Sequence, residues 1–190
     1  MEGDTFLWLV RHAVVDDVAG AIHAVDAPAD LSDRTRLSAL QQQLPQGAAS
    51  YASPARRTVD TARAFGLDPI LVPEFSEQDF GEWTGRCHND LAAAGGDVYA
   101  RFWADPAGSK PPGGESFEDQ IARVHEGLRR IEGGRAILVV HSGTIRAALC
   151  IALDLTAQAG LRFAIDPLSL TRIDRLSNGW RVVSVNQTIA

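Results

Sequence analysis

The stretch that decides the fold is an apolar run that stops at an arginine and a histidine, Phe6-Leu7-Trp8-Leu9-Val10-Arg11-His12-Ala13. A second apolar run also ends in a histidine that small residues follow, Ala136-Ile137-Leu138-Val139-Val140-His141-Ser142-Gly143. Short continuous apolar runs are typical of central strands that are buried on both faces of a sheet. In an open α/β sheet the ligand crevice lies outside the carboxyl ends of the strands, so we expect both histidines to face one crevice.

The composition is that of an ordinary globular protein. A length of 190 residues with 45% hydrophobic residues predicts a single domain over residues 1–190. The formal charge of −6 argues against a nucleic-acid or membrane-surface partner, because both need a basic face. The acidic start is unlike a signal peptide, and no stretch approaches the roughly 20 apolar residues of a membrane span, which predicts a cytoplasmic protein. Cys87 and Cys150 lack zinc-site spacing and are predicted to be reduced thiols.

Residues 53–66 are predicted to form a helix that carries an arginine pair at its beginning. Ser53, which precedes a proline, suits the N-cap, and Gly66 suits the position just past the end. Arg56 and Arg57 then lie in the first turn, where the positive end of the helix dipole disfavours a cation. An anion bound at that end would make the placement favourable.

A segment at 74–85, here named the acidic loop, interleaves four carboxylates with three aromatic side chains. Aromatic surroundings can raise the pKa of a carboxyl group by desolvation, which suits a general acid near neutral pH. The composition of the loop does not choose among its carboxylates, which are Glu74, Glu77, Asp79 and Glu82.

The rest of the chain supplies the other elements of an α/β fold. Residues 14–31, here named the irregular loop, show no helical or strand period, and a loop of this length is usually functional. Helices are predicted after Ser32-Asp33, over 97–103 with its aromatic residues in the core, after the capping box of Ser116 and Asp119, and over 144–153. Strands are predicted over 48–52, 69–72, 169–176 and 180–185, the last two joined by the turn Asn178-Gly179. The pattern indicates a three-layer α/β/α fold with a mostly parallel central sheet and an antiparallel C-terminal edge hairpin.

Three predicted strand ends bring residues 11–12, 56–57 and 141–143 to one rim. Guanidinium forks, imidazoles and the backbone N–H groups expected at 143–144 all suit a phosphate group. A histidine among cations has a lowered pKa, so its neutral form is available as a nucleophile, and a covalent intermediate divides hydrolysis into two easier steps. The arginines can supply the charge stabilisation that phosphoryl transfer needs, so no metal or other cofactor is expected. One carboxylic acid of the acidic loop would protonate the leaving oxygen.

Five segments, in the family's order, resemble the signature motifs of the histidine phosphatase superfamily, which has the phosphoglycerate-mutase-like fold. They are Leu9-Val10-Arg11-His12-Ala13, Ser53 to Ala62, Glu77 to Gly85, Pro112-Gly113-Gly114-Glu115-Ser116 and Val139-Val140-His141-Ser142-Gly143. Each motif alone is weak evidence, but five in order are specific.

The resemblance implies a role for each of five residues: the nucleophile His12, the proton donor and later base Glu77, and a phosphate pocket of Arg11, Arg57 and His141. The small size and the loop after His12 look most like α-ribazole phosphatases of cobalamin assembly. This likeness implies a small phosphorylated metabolite as the partner, with α-ribazole 5'-phosphate as the example. The chain departs from the family pattern at Ala13, where glycine is usual, and at residues 23–24, where tyrosine and glycine are expected.

Other functions compete with this one. A metal hydrolase is disfavoured because no H-x-H or H-E-x-x-H spacing occurs. A phosphoglycerate-type mutase is nearer, but the chain is short for the extra loops that hold a mutase's substrate. A catalytically weak phospholigand-binding regulatory module on the same fold is the third, since fold alone does not settle function. The sequence is compatible with a homodimer. It predicts that His88 and His125 have no part in the site.

Overall fold

The computed structural model of the chain describes residues 3–18, 20–94 and 96–188. Its centre is a six-stranded sheet made of β1 (Thr5–Arg11), β2 (Ala49–Ala52), β3 (Ile70–Leu71), β4 (Gly134–Val140), β5 (Leu170–Leu176) and β6 (Gly179–Gln187). The strand order is β3-β2-β4-β1-β5-β6, in which the first four strands are parallel and the last two antiparallel. The two apolar runs are the central strands β1 and β4, and the predicted sheet with its antiparallel edge hairpin is confirmed.

The described ranges contain the helices α1 (Arg34–Gln41), α2 (Arg56–Ala64), α3 (His88–Ala94), α4 (Gly96–Ala104), α5 (Phe117–Arg129), α6 (Ser142–Leu153) and α7 (Ala157–Gly160). Helices α5, α6 and α7 cover one face of the sheet, where Leu7 and Leu9 of β1 belong to the larger apolar cluster. Helices α1 and α2 cover the other face around Val10. The fold therefore has the three predicted layers. None of the helices in these ranges is long and apolar enough to cross a membrane.

The register of the two central strands places the two histidines side by side. Arg11 lies opposite Val140, and the N–H of His12 donates to the carbonyl of Val140 over 3.0 Å. Strand β2 runs along the other side of β4, and the N–H of Ser53 donates to the carbonyl of Val139 over 3.4 Å. The carboxyl ends of β1, β2 and β4 therefore meet at one edge of the sheet, where open α/β sheets bind ligands.

Helix α2 begins later than the sequence predicts. It starts at Arg56, and Ala55 occupies the cap position without a side-chain hydrogen bond. The prediction of Ser53 as the N-cap was therefore wrong. The physical reason is that the Ser53 hydroxyl group is buried and bonds to the side chains of Thr58 and His141 instead.

The acidic loop packs with the irregular loop and helices α3 and α4 into a small third core beside the sheet. Its buried members are Ile22, Trp83, Leu91 and Phe102, against which Phe80 and Tyr99 pack. The expected core role of residues 97–103 holds only in part, because Val98 and Trp103 are 46% and 47% exposed. This third core attaches both loops to the region outside the ends of the parallel strands.

Candidate active site

A cavity of about 560 Å³ opens at this edge of the sheet. Arg11, His12, Arg57 and Glu77 line it. His141 is fully buried beside it, with its ring centroid 5.1 Å from that of His12. The structure thus brings together all five residues that the sequence proposes for the site.

His12 follows β1 and is held as a neutral imidazole. Burial lowers its pKa well below the usual value, and the charges of Arg57 and Arg11 lower it further. Its Nδ1 lies 2.6 Å from the carbonyl oxygen of Ala13, and because that oxygen only accepts, the proton is on Nδ1. Nε2 is then unprotonated, which is the form that a nucleophile needs.

His141 occupies the N-cap position of α6, directly after β4. Burial, together with the charges of Arg57 and Arg11, lowers its pKa well below the usual value, so this imidazole is also neutral. Its Nε2 lies 2.6 Å from Oγ of Ser53. Its Nδ1 is buried and has no hydrogen-bond partner within the part of the chain that the structure describes. Such an orphaned nitrogen is unfavourable unless a ligand completes it.

The two arginines reach the cavity from different elements. Nη1 of Arg11 donates to the carbonyl of Ile165 over 2.6 Å, and Nη1 of Arg57 donates to the carbonyl of Ala24 over 2.8 Å. Each bond fixes the guanidinium group and leaves other N–H donors for an anion. Arg56 is exposed and forms an ion pair within its own helix. Arg57, and not Arg56, therefore belongs to the cavity wall.

Glu77 is the carboxylate of the acidic loop that lies at the beginning of α6. Its Oε1 accepts from Nε2 of Gln120 over 3.2 Å and from the N–H of Gln78 over 3.1 Å. Its Oε2 accepts from Oγ of Ser142 over 3.4 Å and from the N–H of Gly143 over 3.3 Å. Four donors thus hold the carboxyl group beside the second histidine.

The other three carboxylates of the loop have different surroundings. Glu74 forms an ion pair with Arg130. Glu82 is exposed and does not line the cavity. Asp79 is exposed but does line the cavity, and its Oδ1 accepts from the N–H of Gly81 over 2.8 Å. Among the four, only Glu77 contacts the helix that follows β4.

The predicted phosphate cradle at residues 143–144 was wrong in one respect. The N–H of Gly143 donates to Glu77, so it is not free for a phosphate oxygen. The hydroxyl group of Thr144 donates to the carbonyl of Phe75 over 3.0 Å and anchors the acidic loop. The physical reason is that the first N–H groups of a helix have no partner within the helix, and here the side-chain oxygens of Glu77 accept from one of them.

Arg123 of α5 holds the acidic loop in place, a contact that no sequence pattern indicates. Its Nη1 donates to the carbonyls of Glu74 and Ser76 over 2.7 and 3.2 Å, and its Nη2 donates to the carbonyl of Glu77 over 3.4 Å. Its Nε donates to Oε2 of Glu115 over 3.3 Å. One guanidinium group therefore fixes the backbone that leads up to the acid, and that of the acid itself, and ties it to the Pro-Gly-Gly-Glu-Ser segment.

Gly143→Ala is expected to displace Glu77. A Cβ atom at this position would overlap Oε1 of Glu77 and lie 2.7 Å from Oε1 of Gln120. We expect kcat for an alkyl phosphate to fall roughly ten-fold or more, because the displaced acid no longer meets the leaving oxygen. The matched control is Gly3→Ala, where a Cβ meets nothing within 4 Å. Equal kcat values for the two variants would contradict the role of this contact.

Ala13 fits the position where the family has glycine. It is fully buried, and its methyl group belongs to the apolar cluster under α1 and α2. Its N–H donates to Oγ1 of Thr61 over 3.1 Å. The backbone φ of Ala13 is not positive. Among the described non-glycine residues, only Asp154, Leu168 and Asn186 have a positive φ. Alanine therefore introduces no backbone strain beside His12.

The irregular loop forms the outer wall of the cavity. Its lining residues are Ala21, Ile22, His23 and Val25. Nδ1 of His23 lies 3.0 Å from Oδ2 of Asp17. His88, for which the sequence predicts no special role, also lines the cavity, and its Nδ1 is 3.1 Å from the hydroxyl oxygen of Tyr99. His125 is exposed on α5, as predicted.

Neither cysteine lines the cavity. Cys87 and Cys150 are both free, as predicted. Burial raises the pKa of the Cys150 thiol, which keeps it in the unreactive protonated form. In residues 3–18, 20–94 and 96–188, no group of three or more His, Cys, Asp or Glu side chains could hold a metal ion.

Comparison with known proteins agrees with the motifs. The family model described as histidine phosphatase superfamily (branch 1) matches residues 7–188. A bifunctional protein of Mycobacterium tuberculosis is 35% identical over 150 residues, which cover 74% of this chain and 41% of that protein. The chain therefore spans about two fifths of the length of this curated relative. An adenosylcobalamin/α-ribazole phosphatase of Salmonella typhimurium is 26% identical over 181 residues, 88% of this chain and 89% of that protein.

A solved structure shares the architecture. The α-ribazole phosphatase of Shigella flexneri superposes with a TM-score of 0.83 and 23% identity, covering 97% of this chain and 98% of that one. At this identity the likeness concerns the fold.

Proposed function

The chain belongs to the histidine phosphatase superfamily, and we propose that it is a metal-independent phosphomonoesterase that acts through a phosphohistidine. The substrate is a small phosphorylated metabolite that binds in the cavity at the end of β1 and β4. The proposal assigns each candidate residue a role: nucleophile His12, acid and then base Glu77, and phosphate pocket Arg11, Arg57 and His141. All five belong to one chain, so the proposal requires no second subunit.

In the first step, the lone pair of His12 Nε2 attacks phosphorus, and the bond from phosphorus to the ester oxygen breaks. Glu77 gives its proton to that oxygen, so the product leaves as a neutral alcohol. Arg11 and Arg57 stabilise the charge on the non-bridging phosphoryl oxygens, which is the main contribution of protein groups to phosphoryl transfer. Nδ1 of His12 keeps its proton and its bond to Ala13.

In the second step, water replaces the imidazole. Glu77, now a carboxylate, takes a proton from the water molecule while the water oxygen attacks phosphorus. The bond between phosphorus and Nε2 of His12 breaks, and its electron pair returns to the nitrogen. One ester and one water molecule have then become one alcohol and one phosphate, and both side chains are back in their starting states.

The observation that carries the proposal is the fixed tautomer of His12 in the cavity wall. The short bond from Nδ1 to Ala13 directs the unprotonated Nε2 away from the protein backbone. The guanidinium groups of Arg11, Arg57 and Arg123 line the same cavity, and that of Arg123 is paired with Glu115. A neutral nucleophile between two cations favours an anionic electrophile, and phosphate monoesters match that description.

The experiment that tests the proposal traps the intermediate. Purified protein in EDTA is mixed with a ³²P-labelled phosphomonoester and quenched with denaturant. We expect label on the protein that is lost in acid and stable in base, as a phosphorus–nitrogen bond requires. Turnover without labelled protein, or label that survives acid, would overturn the phosphohistidine.

We further propose α-ribazole 5'-phosphate, or a similar ester of a neutral heteroaromatic nucleoside, as the substrate. Ile22, Val25 and Phe80 give the cavity an apolar wall beside the phosphate pocket, and such surfaces suit a flat aromatic group. The name of the Salmonella typhimurium relative supports the same class. The proposal treats residues 1–190 as a single catalytic domain in the cytoplasm, where phosphorylated metabolites are found.

Asp79→Asn is expected to relax a selection against anionic leaving groups. The Asp79 carboxylate lines the cavity and forms no ion pair with a described residue. A second anion about 4 Å away would be opposed by about 1 kcal/mol or more. We expect the wild type to favour α-ribazole 5'-phosphate over 3-phosphoglycerate in kcat/KM, and Asp79→Asn to reduce that ratio about five-fold or more.

The control for this prediction is Glu82→Gln, which removes a charge from the same loop but outside the cavity wall. It is expected to leave the ratio of the two kcat/KM values unchanged. If Asp79→Asn also left this ratio unchanged, Asp79 would not select between leaving groups.

A further inference from the structure

Ser53 and Thr58 are fully buried, and their hydroxyl groups form a chain that ends at His141. We infer that this chain fixes the proton of neutral His141 on Nε2 and so leaves Nδ1 as the nitrogen that faces a substrate. The inference rests on the proposed function in one respect, the role of His141 in phosphate binding. Ser53 and Thr58 act through His141 and are therefore positioning residues.

The chain of hydroxyl groups begins with Thr58, whose hydroxyl hydrogen can be donated only to a carbonyl oxygen. Its Oγ1 lies 2.6 Å from the carbonyl oxygen of Ala55 and 2.8 Å from that of Ser53. Carbonyl oxygens only accept, so these short contacts require the hydroxyl hydrogen of Thr58 to point at a carbonyl. Oγ1 of Thr58 then has no hydrogen for the Ser53 side chain and can only accept from it.

Ser53 is the middle of the chain and uses its full bonding capacity. Its Oγ lies 3.0 Å from Oγ1 of Thr58, so Ser53 donates its single hydrogen there. Its two lone pairs then accept from the N–H of Ala55 over 3.3 Å and from Nε2 of His141 over 2.6 Å. If Ser53 donated to His141 instead, the contact between the two hydroxyl oxygens would hold no hydrogen. The geometry therefore favours N–H at Nε2.

The consequence appears at the other ring nitrogen. A neutral imidazole carries one proton, so with Nε2 protonated the orphaned Nδ1 of His141 is an acceptor. The charged and titratable groups around this ring, His12, Arg11, Arg57, Arg123 and Glu77, include three cations that oppose a second proton on it. On this inference Nδ1 can only accept, so a phosphate group that meets it would present a protonated oxygen.

The test reads the tautomer directly. Thr58→Val removes the acceptor for the Ser53 hydrogen and keeps the side-chain shape. Ser53 then donates to Nε2, and the His141 proton moves to Nδ1. In ¹⁵N spectra of imidazole-labelled, ligand-free protein, with the His141 signals assigned by their loss in His141→Asn, we expect N–H at Nε2 in the wild type and at Nδ1 in Thr58→Val. Thr58→Ser restores the wild-type tautomer.

Two further variants complete the design. Thr171→Val, at a buried threonine on β5, is expected to leave the His141 signals unchanged. Ser53→Ala removes the acceptor itself, so both tautomers become populated, which keeps the test usable if Thr58→Val does not fold. Wild-type protein with N–H at Nδ1, or the same tautomer in the wild type and Thr58→Val, would overturn the inference.

Activity supplies the second readout. Partners that orient a histidine typically change activity by 10- to 100-fold in metal sites, and we expect Thr58→Val to lower kcat/KM by about 10-fold, with recovery in Thr58→Ser. If Thr58→Ser did not recover the kcat/KM of the wild type, that result would count against the hydroxyl chain. Since the spectra need no substrate, a failure of the phosphatase proposal and a failure of the tautomer inference are distinguishable.

Discussion

His12→Ala is expected to lower kcat for p-nitrophenyl phosphate by at least about a thousand-fold, because removing a covalent nucleophile typically costs 10³ or more. The phosphoryl group then has no nitrogen to which it can transfer. The remaining rate reflects binding by the two arginines and direct attack of water. Initial rates in EDTA at saturating substrate give kcat, and the labelling experiment on the same preparation should show no acid-labile phosphoprotein.

The matched control for this variant is His125→Ala, which removes an exposed imidazole from α5. It should keep both the turnover and the labelled intermediate of the wild type. Circular dichroism establishes that both variants are folded. If His12→Ala retained more than about a tenth of the wild-type kcat, the nucleophile would have to be reassigned.

Glu77→Gln is expected to slow poor leaving groups far more than good ones. An alkyl phosphate releases a basic alkoxide and needs a proton in the transition state, so its kcat/KM should fall by about 100-fold or more. p-Nitrophenolate leaves without a proton, and the loss in phosphorylation rate should be only a few-fold. Single-turnover measurements with both esters isolate this first step from the hydrolysis of the phosphoenzyme.

Glu82→Gln again serves as the matched control, because it carries the same change in the same loop and does not line the cavity. The loss of activity in Glu82→Gln should be small with both the alkyl phosphate and p-nitrophenyl phosphate. Equal losses of both esters in Glu77→Gln would indicate a structural effect of the substitution and would count against proton donation by this residue.

The sheet could be predicted because burial on both faces leaves a clear pattern in sequence. Strands β1 and β4 each contain an unbroken apolar run, and those runs end where the carboxyl edge begins. The same reasoning brought His12 and His141 to one crevice. The capping box of Ser116 and Asp119, which local hydrogen bonding alone specifies, is also confirmed.

The choice of Glu77 among the carboxylates, and of Arg57 over Arg56, came from the resemblance to a family and not from physical pattern. Local composition is nearly the same for each alternative, and only the folded chain separates them. Arg57 is buried in the cavity wall, while Arg56 is exposed. Glu77 alone reaches α6.

The supporting residues could not be predicted because their contacts join distant parts of the chain. Ser53 and His141 are 88 positions apart, Gln120 and Glu77 are 43 apart, and Arg123 and Glu77 are 46 apart. No helical or strand period encodes such pairs. Ser53 also satisfies the local preference for an N-cap, and its tertiary partner His141 outweighs that preference.

Main-chain hydrogen bonds attach the irregular loop to the segment that leads into α3. The N–H of Ile22 bonds to the carbonyl of Arg86, the N–H of Gly85 to the carbonyl of Ile22, and the N–H of His88 to the carbonyl of Gly20. Such bonds form with almost any side chain, so the wall keeps its shape when its lining is changed. Saturation libraries at positions 21, 23 and 25 are therefore a practical starting point for changing the ester that the proposed phosphatase would accept.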